Sequence, residues 1–321
     1  MSIPFFTPVQ DGIRHVEQLM RSQTGYDHHP DLRAALEHIL GAGGKRVRPT
    51  IIFLVGNIFD APHDKLVILG ASVEMLHTAT LVHDDLIDGS LLRRGIPTLN
   101  ARWSPAATVL TGDFLFGRAA KLAAETDHLP LMKLFAETLT IIVNGELTQM
   151  FAAKGLIDRK NYYSRIYAKT ASLFEMSALA ATVMGTEDED SRQAMKTYGY
   201  EIGMAFQIMD DVLDFTGDQA AIGKPVGSDL LNGLVTLPAI YFAERHPDNP
   251  EIKLLAEGGW GNTDRMEKLV KAIQSSSAIQ LATDEATEHI EKALEAIKPF
   301  KNFSEHEALT SLAHYIIDRT F

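Results

Sequence analysis

The chain has 321 residues, 45% of them hydrophobic, and a formal charge of −12 from 42 acidic and 30 basic side chains. That acidic surplus disfavours nonspecific binding to nucleic acid or anionic lipid, so an anionic substrate would need local cations or metal ions. There is no cysteine, which excludes disulfides, thiolate catalysis, iron–sulfur clusters and cysteine zinc sites.

The first twenty residues lack a basic start followed by an apolar stretch, and no uninterrupted apolar run reaches the ~18 residues of a membrane helix candidate. A cytoplasmic location is the resulting expectation. Helical period runs from end to end, and alternating β-branched strands between tight turns are missing. Breakers at Gly41–Gly44, Ala61-Pro62, Gly95-Ile96-Pro97, Leu129-Pro130, Gly185, Gly217–Gly227, His246-Pro247 and Gly258-Gly259 separate long blocks. No linker composition interrupts them. The pattern predicts one all-α domain over residues 1–321, built from about ten helices.

In chain order, the first informative stretch follows the turn at Gly41–Gly44. Lys45-Arg46-Val47-Arg48-Pro49 places backbone amides and three cations to converge on an anion. The next block carries LVHDDLIDG, residues 81–89. Asp84 and Asp88 are four apart and share a helix face, with Asp85 alongside. Such carboxylates repel, the more so among Leu81, Val82, Leu86 and Ile87. A hard divalent cation relieves this, because Mg²⁺ favours carboxylate oxygens and shares its shell with phosphate. His77 lies two turns earlier on the same side, where a hydrogen-bonded structural role explains it as well as a ligand role. Arg93-Arg94-Gly95 follows at the helix end.

Glu146 and Gln149, in NGELTQM, are one turn apart and fit a structural network nearly as well as a site. Lys169-Thr170 stands mid-helix in an apolar stretch, where an uncompensated lysine is costly. QIMDDVLDFTGD, residues 207–218, then repeats the first pattern with Asp210, Asp211 and Asp214, and Gln207 lies three before Asp210. Lys224 sits in the loop Gly223-Lys224-Pro225-Val226-Gly227. One such aspartate cluster is more often a solvated acidic face. Two copies in apolar helices, each beside glycine-flanked basic residues, are more simply explained by a metal-plus-anion site.

These residues resemble the trans-type polyprenyl diphosphate synthases, long-chain subgroup. The resemblance rests on GGKRVRP (43–49), HTATLVHDDLIDGSLLRRGIPT (77–98), GELTQ (145–149), KT (169–170), FQIMDDVLDFTGD (206–218) and GKPVGSDLLNGLVTLP (223–238), in family order over about residues 40–240. It implies an orthogonal helical bundle around a deep central cavity, a homodimer, and head-to-tail condensation of isopentenyl diphosphate with an allylic diphosphate. It further implies that Asp84, Asp88 and Asp210 bind a trio of Mg²⁺ ions, supported by Asp85, Asp211 and Asp214, the last counted among the metal residues. Arg93, Lys169, Thr170, Gln207 and Lys224 would contact the allylic diphosphate. Lys45, Arg48, His77 and Arg94 would hold isopentenyl diphosphate. One departure is Leu91, where family members often carry another acid.

Ala79 and Thr80, above Leu76, are small where short-chain members of that family carry a blocking aromatic, so the resemblance implies that a growing tail passes this level. The product would then be longer than geranylgeranyl, with Leu76, Phe135 or Leu139 as its floor. A membrane-seeking product implies peripheral membrane contact, although no basic amphipathic anchor argues for it. Two rivals remain at this stage. A terpene cyclase also uses an aspartate-rich helix but binds no isopentenyl diphosphate, and a catalytic subunit of a heteromeric synthase would carry the same motifs.

Overall fold

The computed structural model describes residues 4–23, 29–41, 43–93, 95–152, 154–155, 157–217 and 225–319. They divide into two compact units, one of Met1–Glu137, Met176–Lys196 and Pro299–Leu309, the other of Thr138–Glu175, Thr197–Lys298 and Thr310–Phe321.

In the first unit, α1 (Gln10–Ser22), α2 (Pro30–Gly41) and α3 (Val47–Ile58) lead to the long α4 (His63–Ile87). All but one residue of α3 are buried, as expected of a helix that is apolar all round. By length and composition α4 would suffice to cross a bilayer, yet every residue from Leu69 to Leu76 is buried. It is a core helix. A two-residue antiparallel pair, β1 (Leu92–Arg93) and β2 (Ile96–Pro97), turns at Gly95 with φ +77°, a conformation that glycine adopts without strain. After α5 (Leu99–Arg102), α6 (Pro105–Glu125) starts at Ser104, whose Oγ accepts from the Ala107 amide at 3.2 Å, with Pro105 in the first turn.

Within this unit α4 packs extensively along α6. Ser72 Oγ donates to the Ala119 carbonyl at 2.8 Å. Eleven residues further along α4, the His83 ring fills the place where a Cβ on Gly112 would stand. Ala79 lies between these two positions by helical period, and it is fully buried.

The second unit takes over within α7 (Leu129–Phe151) and runs through α8 (Arg159–Ile166) and a π turn (Tyr167–Ala171) into the start of α9 (Ser172–Gly185), the rest of which belongs to the first unit; α8, the π turn and α9 follow one another without a break. Asp158 caps α8 by accepting from the Lys160 and Asn161 amides. Then come α10 (Glu189–Thr216), α11 (Ser228–Leu231), α12 (Leu237–Arg245), α13 (Pro250–Ala256), α14 (Thr263–Gln274), α15 (Ala278–Ile297) and α16 (Glu305–Asp318). Small buried residues Ala278, Ala282, Ala286 and Ala293 line one face of α15. On α15, Glu285 accepts hydrogen bonds from Tyr163, from Tyr241 Oη (2.6 Å) and from Arg159 Nη1 (3.1 Å).

The all-α expectation holds, with two additions. Short pieces such as α5 and α11 add to the long helices, and the β1–β2 pair appears where sequence reading found only a Gly-Pro interruption. Breakers fall where read: α9 ends on Gly185, and Gly217 follows α10.

Candidate active site

Half of the sequence-predicted site belongs to the first unit. Toward the C-terminal end of α4, His77, Thr80, Leu81 and Asp84 are half-buried and Asp88, its C-cap, is exposed, and by helical period these five share one stripe. Asp85, rotated ~100° from Asp84, is buried. Arg93 on β1 reaches it from the hairpin, with Nε 2.9 Å from both carboxylate oxygens and Nη2 2.8 Å from Oδ1. Asp84, Asp85 and Asp88 all stand at the C-terminal end of α4, where the helix dipole already presents negative charge. With Asp85 paired to Arg93, the accessible Asp84 and Asp88 carboxylates at that end favour an incoming cation.

The GGKRVRP stretch departs from the convergence expected of its three cations. Gly43 has φ +68° and Arg46, the N-cap of α3, has φ +45°. Lys45 is exposed and Arg48 is buried in the first turn of α3. Arg46 instead turns its guanidinium between two helices, with Nε 3.0 Å from Glu17 on α1 and Nη1 2.9 Å from Glu74 on α4. Burial works against its charge, but Glu74 and the bonds to both carboxylates prevail and raise its pKa. Gly43, Arg46, Glu74, His77, Asp85 and Arg93 line a single pocket. Arg94 lies outside the described residues.

The second half-site belongs to the second unit. The π turn carries Lys169 and Thr170, and such one-residue expansions are frequent at functional sites. Lys169 Nζ stands 3.2 Å from Glu146 Oε1 on α7. Thr170 Oγ1 donates to Gln207 Oε1 at 2.6 Å, Gln207 Nε2 donates to Asp211 Oδ1 at 2.9 Å, and Tyr162 Oη donates to Asp211 Oδ2 at 2.7 Å. Burial, followed by the charge of Asp229, pushes the Asp211 pKa up to about 7 against the opposing pull of Gln207 and Tyr162. Asp210, one position earlier, is 42% exposed, and its Oδ1 receives Arg319 Nη2 at 2.6 Å. The Arg319 guanidinium also stacks 3.8 Å over the Phe206 ring. Asp214 accepts from Ser228 Oγ (2.8 Å), Ser228 N (3.2 Å) and Asp229 N (3.3 Å), and so anchors α11. Lys224 lies outside the described residues.

This second cluster, like the first, sits at a helix C-terminus. Sequence reading missed Glu74, Tyr162, Ser228 and Arg319. Tyr162 and Glu74 are distant in sequence from what they hold; the polarity of Glu74 within an apolar stretch hinted at a partner, whereas Tyr162 sits in the polar segment RKNYYSRI and gave no such signal. Of the chain-length residues, Leu76 and Ala79 are fully buried, whereas Thr80 is half-buried on the accessible stripe. Its Oγ1 donates to the His77 carbonyl at 2.7 Å.

Residues 29–274 match the polyprenyl synthetase family model. The chain belongs to that family. It is a prenyltransferase. It is 34% identical to the octaprenyl diphosphate synthase of Haemophilus influenzae over 287 residues, covering 88% of this chain and 87% of the relative. It is 32% identical to heptaprenyl diphosphate synthase component 2 of Bacillus subtilis over 309 residues, 96% of this chain and 87% of the relative. Among solved structures, a polyprenyl synthase from Caulobacter crescentus, complexed with calcium and isoprenyl diphosphate, matches with a TM-score of 0.91 at 32% identity, covering 99% of this chain and 97% of that one.

Polyprenyl synthetases are generally metal-dependent, and the donor chemistry here suits a hard cation. Among the described residues no group of three His, Asp or Glu side chains is gathered to cage an ion unaided. Mg²⁺ is commonly held by one or two carboxylates, with substrate phosphates and water completing its shell. Asp84, Asp88 and Asp210 are accessible carboxylates with the chemistry to fit that role.

Proposed function

We propose that this prenyltransferase condenses isopentenyl diphosphate head to tail with an allylic prenyl diphosphate, giving an all-trans product longer than geranylgeranyl diphosphate. The observation that carries the reading is the accessible stripe of α4, where His77, Thr80, Asp84 and Asp88 share one face. Family membership and relatives named for octaprenyl and heptaprenyl synthesis support the long product.

In this reading Asp84 and Asp88, and on the other unit Asp210, would hold Mg²⁺, three ions in all, and the bound ions would supply positive charge to neutralise the leaving allylic diphosphate. Asp85 keeps Arg93 oriented toward that diphosphate. Thr170 and Gln207 are fixed by their mutual bond, with Asp211 and Tyr162 behind them. Asp214 secures α11, which follows Lys224 in the chain. Lys169 adds positive charge beside the departing group. Lys45, Arg48, His77 and Arg94 bind isopentenyl diphosphate, whose double bond attacks the allylic carbon. The released diphosphate then takes the proton, so no protein nucleophile is needed.

We also propose that residues 1–321 act as one synthase domain in a cytoplasmic homodimer, with membrane contact arising through the product. A heteromeric assembly is the second reading, favoured by the likeness to a chain named as a component. Incubation with Mg²⁺, farnesyl diphosphate and isopentenyl diphosphate, followed by product sizing, tests the whole. A ladder extending beyond geranylgeranyl is expected from the chain alone. Cyclised product without isopentenyl diphosphate use would overturn the reading, and activity only after adding a second chain would favour the heteromer.

A further inference from the structure

Arg46 lies between two residues assigned to isopentenyl diphosphate, Lys45 and Arg48, yet its side chain points elsewhere. Its backbone holds a left-handed φ of +45°, a conformation that residues with a Cβ adopt only when the surroundings impose it. The surroundings here are two carboxylates. The Arg46 side chain is 10% exposed and the Glu74 side chain 5%, with their 2.9 Å bond at the core and the Glu17 bond toward its edge.

Glu74 lies on α4 three residues before His77 and ten before Asp84. One buried carboxylate therefore ties the kink in the cation loop to the helix that carries the aspartates. Arg46 and Glu74 line the same pocket as His77 and Arg93, so a shift in the kink would be felt there.

We infer that Glu74 is a positioning residue for isopentenyl diphosphate: by clamping Arg46 it fixes the left-handed kink of the loop and thereby the placement of Lys45 and Arg48. Neither Glu74 nor Arg46 needs to touch the substrate. The inference rests on the reading above that Lys45, Arg48 and His77 hold this diphosphate.

Three variants separate positioning from folding. Glu74→Gln keeps the shape and removes the charge. Arg46→Gly deletes the guanidinium while suiting the left-handed backbone, so it remains informative if Glu74→Gln folds poorly. Arg46→Lys keeps the charge but loses the fork that spans two carboxylates. Each is assayed by varying one substrate at saturation of the other, and by calorimetric titration with isopentenyl diphosphate and Mg²⁺ alone.

Misplaced binding groups weaken what they hold, so the KM and Kd for isopentenyl diphosphate should rise about tenfold in all three. The allylic KM and kcat should stay within about twofold, and Glu74→Asp should recover part of the loss. Equal changes for both substrates, or an unchanged Kd in Arg46→Gly, would overturn the inference. Were the wild-type chain to show no binding of isopentenyl diphosphate, the functional reading itself would fall, and the inference with it.

Discussion

Gly203→Ala tests the close approach that sets Thr170 against Gln207. A Cβ at Gly203, on α10, would stand 2.5 Å from Ala171 Cα, 2.9 Å from Ala171 Cβ and 3.0 Å from Phe174 Cβ. Carbon atoms prefer ~3.5–4.0 Å, so α10 and the π turn must part by roughly 1 Å. The Thr170–Gln207 bond at 2.6 Å would then stretch beyond hydrogen-bonding range. Overpacking costs about 1–3 kcal/mol and the lost bond about 1 kcal/mol, while the better helix propensity of alanine returns about 1 kcal/mol. The net expectation is a loss of about 1–3 kcal/mol, read in thermal unfolding as a fall of several degrees.

Gly117 supplies the control. It is exposed on α6 with no atom within 4 Å of its added Cβ, so Gly117→Ala should stabilise by about 0.4–1 kcal/mol. Turnover should fall in Gly203→Ala and stay level in Gly117→Ala. If both variants gained stability with unchanged kinetics, the argument from close approach would be refuted.

Two further outcomes follow from the site. Thr80→Phe places a ring on the accessible stripe of α4 and should shorten the product, as sized by chromatography; an unchanged ladder would remove Thr80 from chain-length control. The buried Ala79 makes a poorer probe, since Ala79→Phe must displace α6 at a cost of about 1–3 kcal/mol. Arg319→Gln removes a cation already paired with Asp210, so calorimetry should show divalent ions binding roughly two- to fivefold tighter, alongside a lower melting temperature. Unaltered ion affinity would mean that the Arg319 pair does not compete for Asp210.

Features that depend on a few neighbouring residues were legible in the sequence. The shared face of Asp84 and Asp88 needs only four residues of helix, and the turn at Gly43 needs only glycine. What escaped reading depends on partners far along the chain. Arg46 looks equivalent to Lys45 and Arg48 until α1 and α4 bring Glu17 and Glu74 against it. All six aspartates look alike in their two motifs, but helix rotation buries Asp85 and Asp211 and leaves Asp84 and Asp210 more accessible. Arg319 reaches Asp210 only because α16 ends beside α10. That both clusters stand at helix C-termini could have been inferred from Gly89 and Gly217, which follow each motif.

The π turn at Tyr167–Ala171 has a consequence for how this sequence tolerates change. Such a turn is a helix that has absorbed one extra residue, with regular helix on both sides. Removing a single residue there would leave α8 and α9 able to join in ordinary register. Lys169 and Thr170 would swing around the axis, away from Glu146 and Gln207. A deletion usually ruinous to a buried helix would here spare the fold and redirect two side chains, a natural route by which the lineage could retune or silence this half of the site.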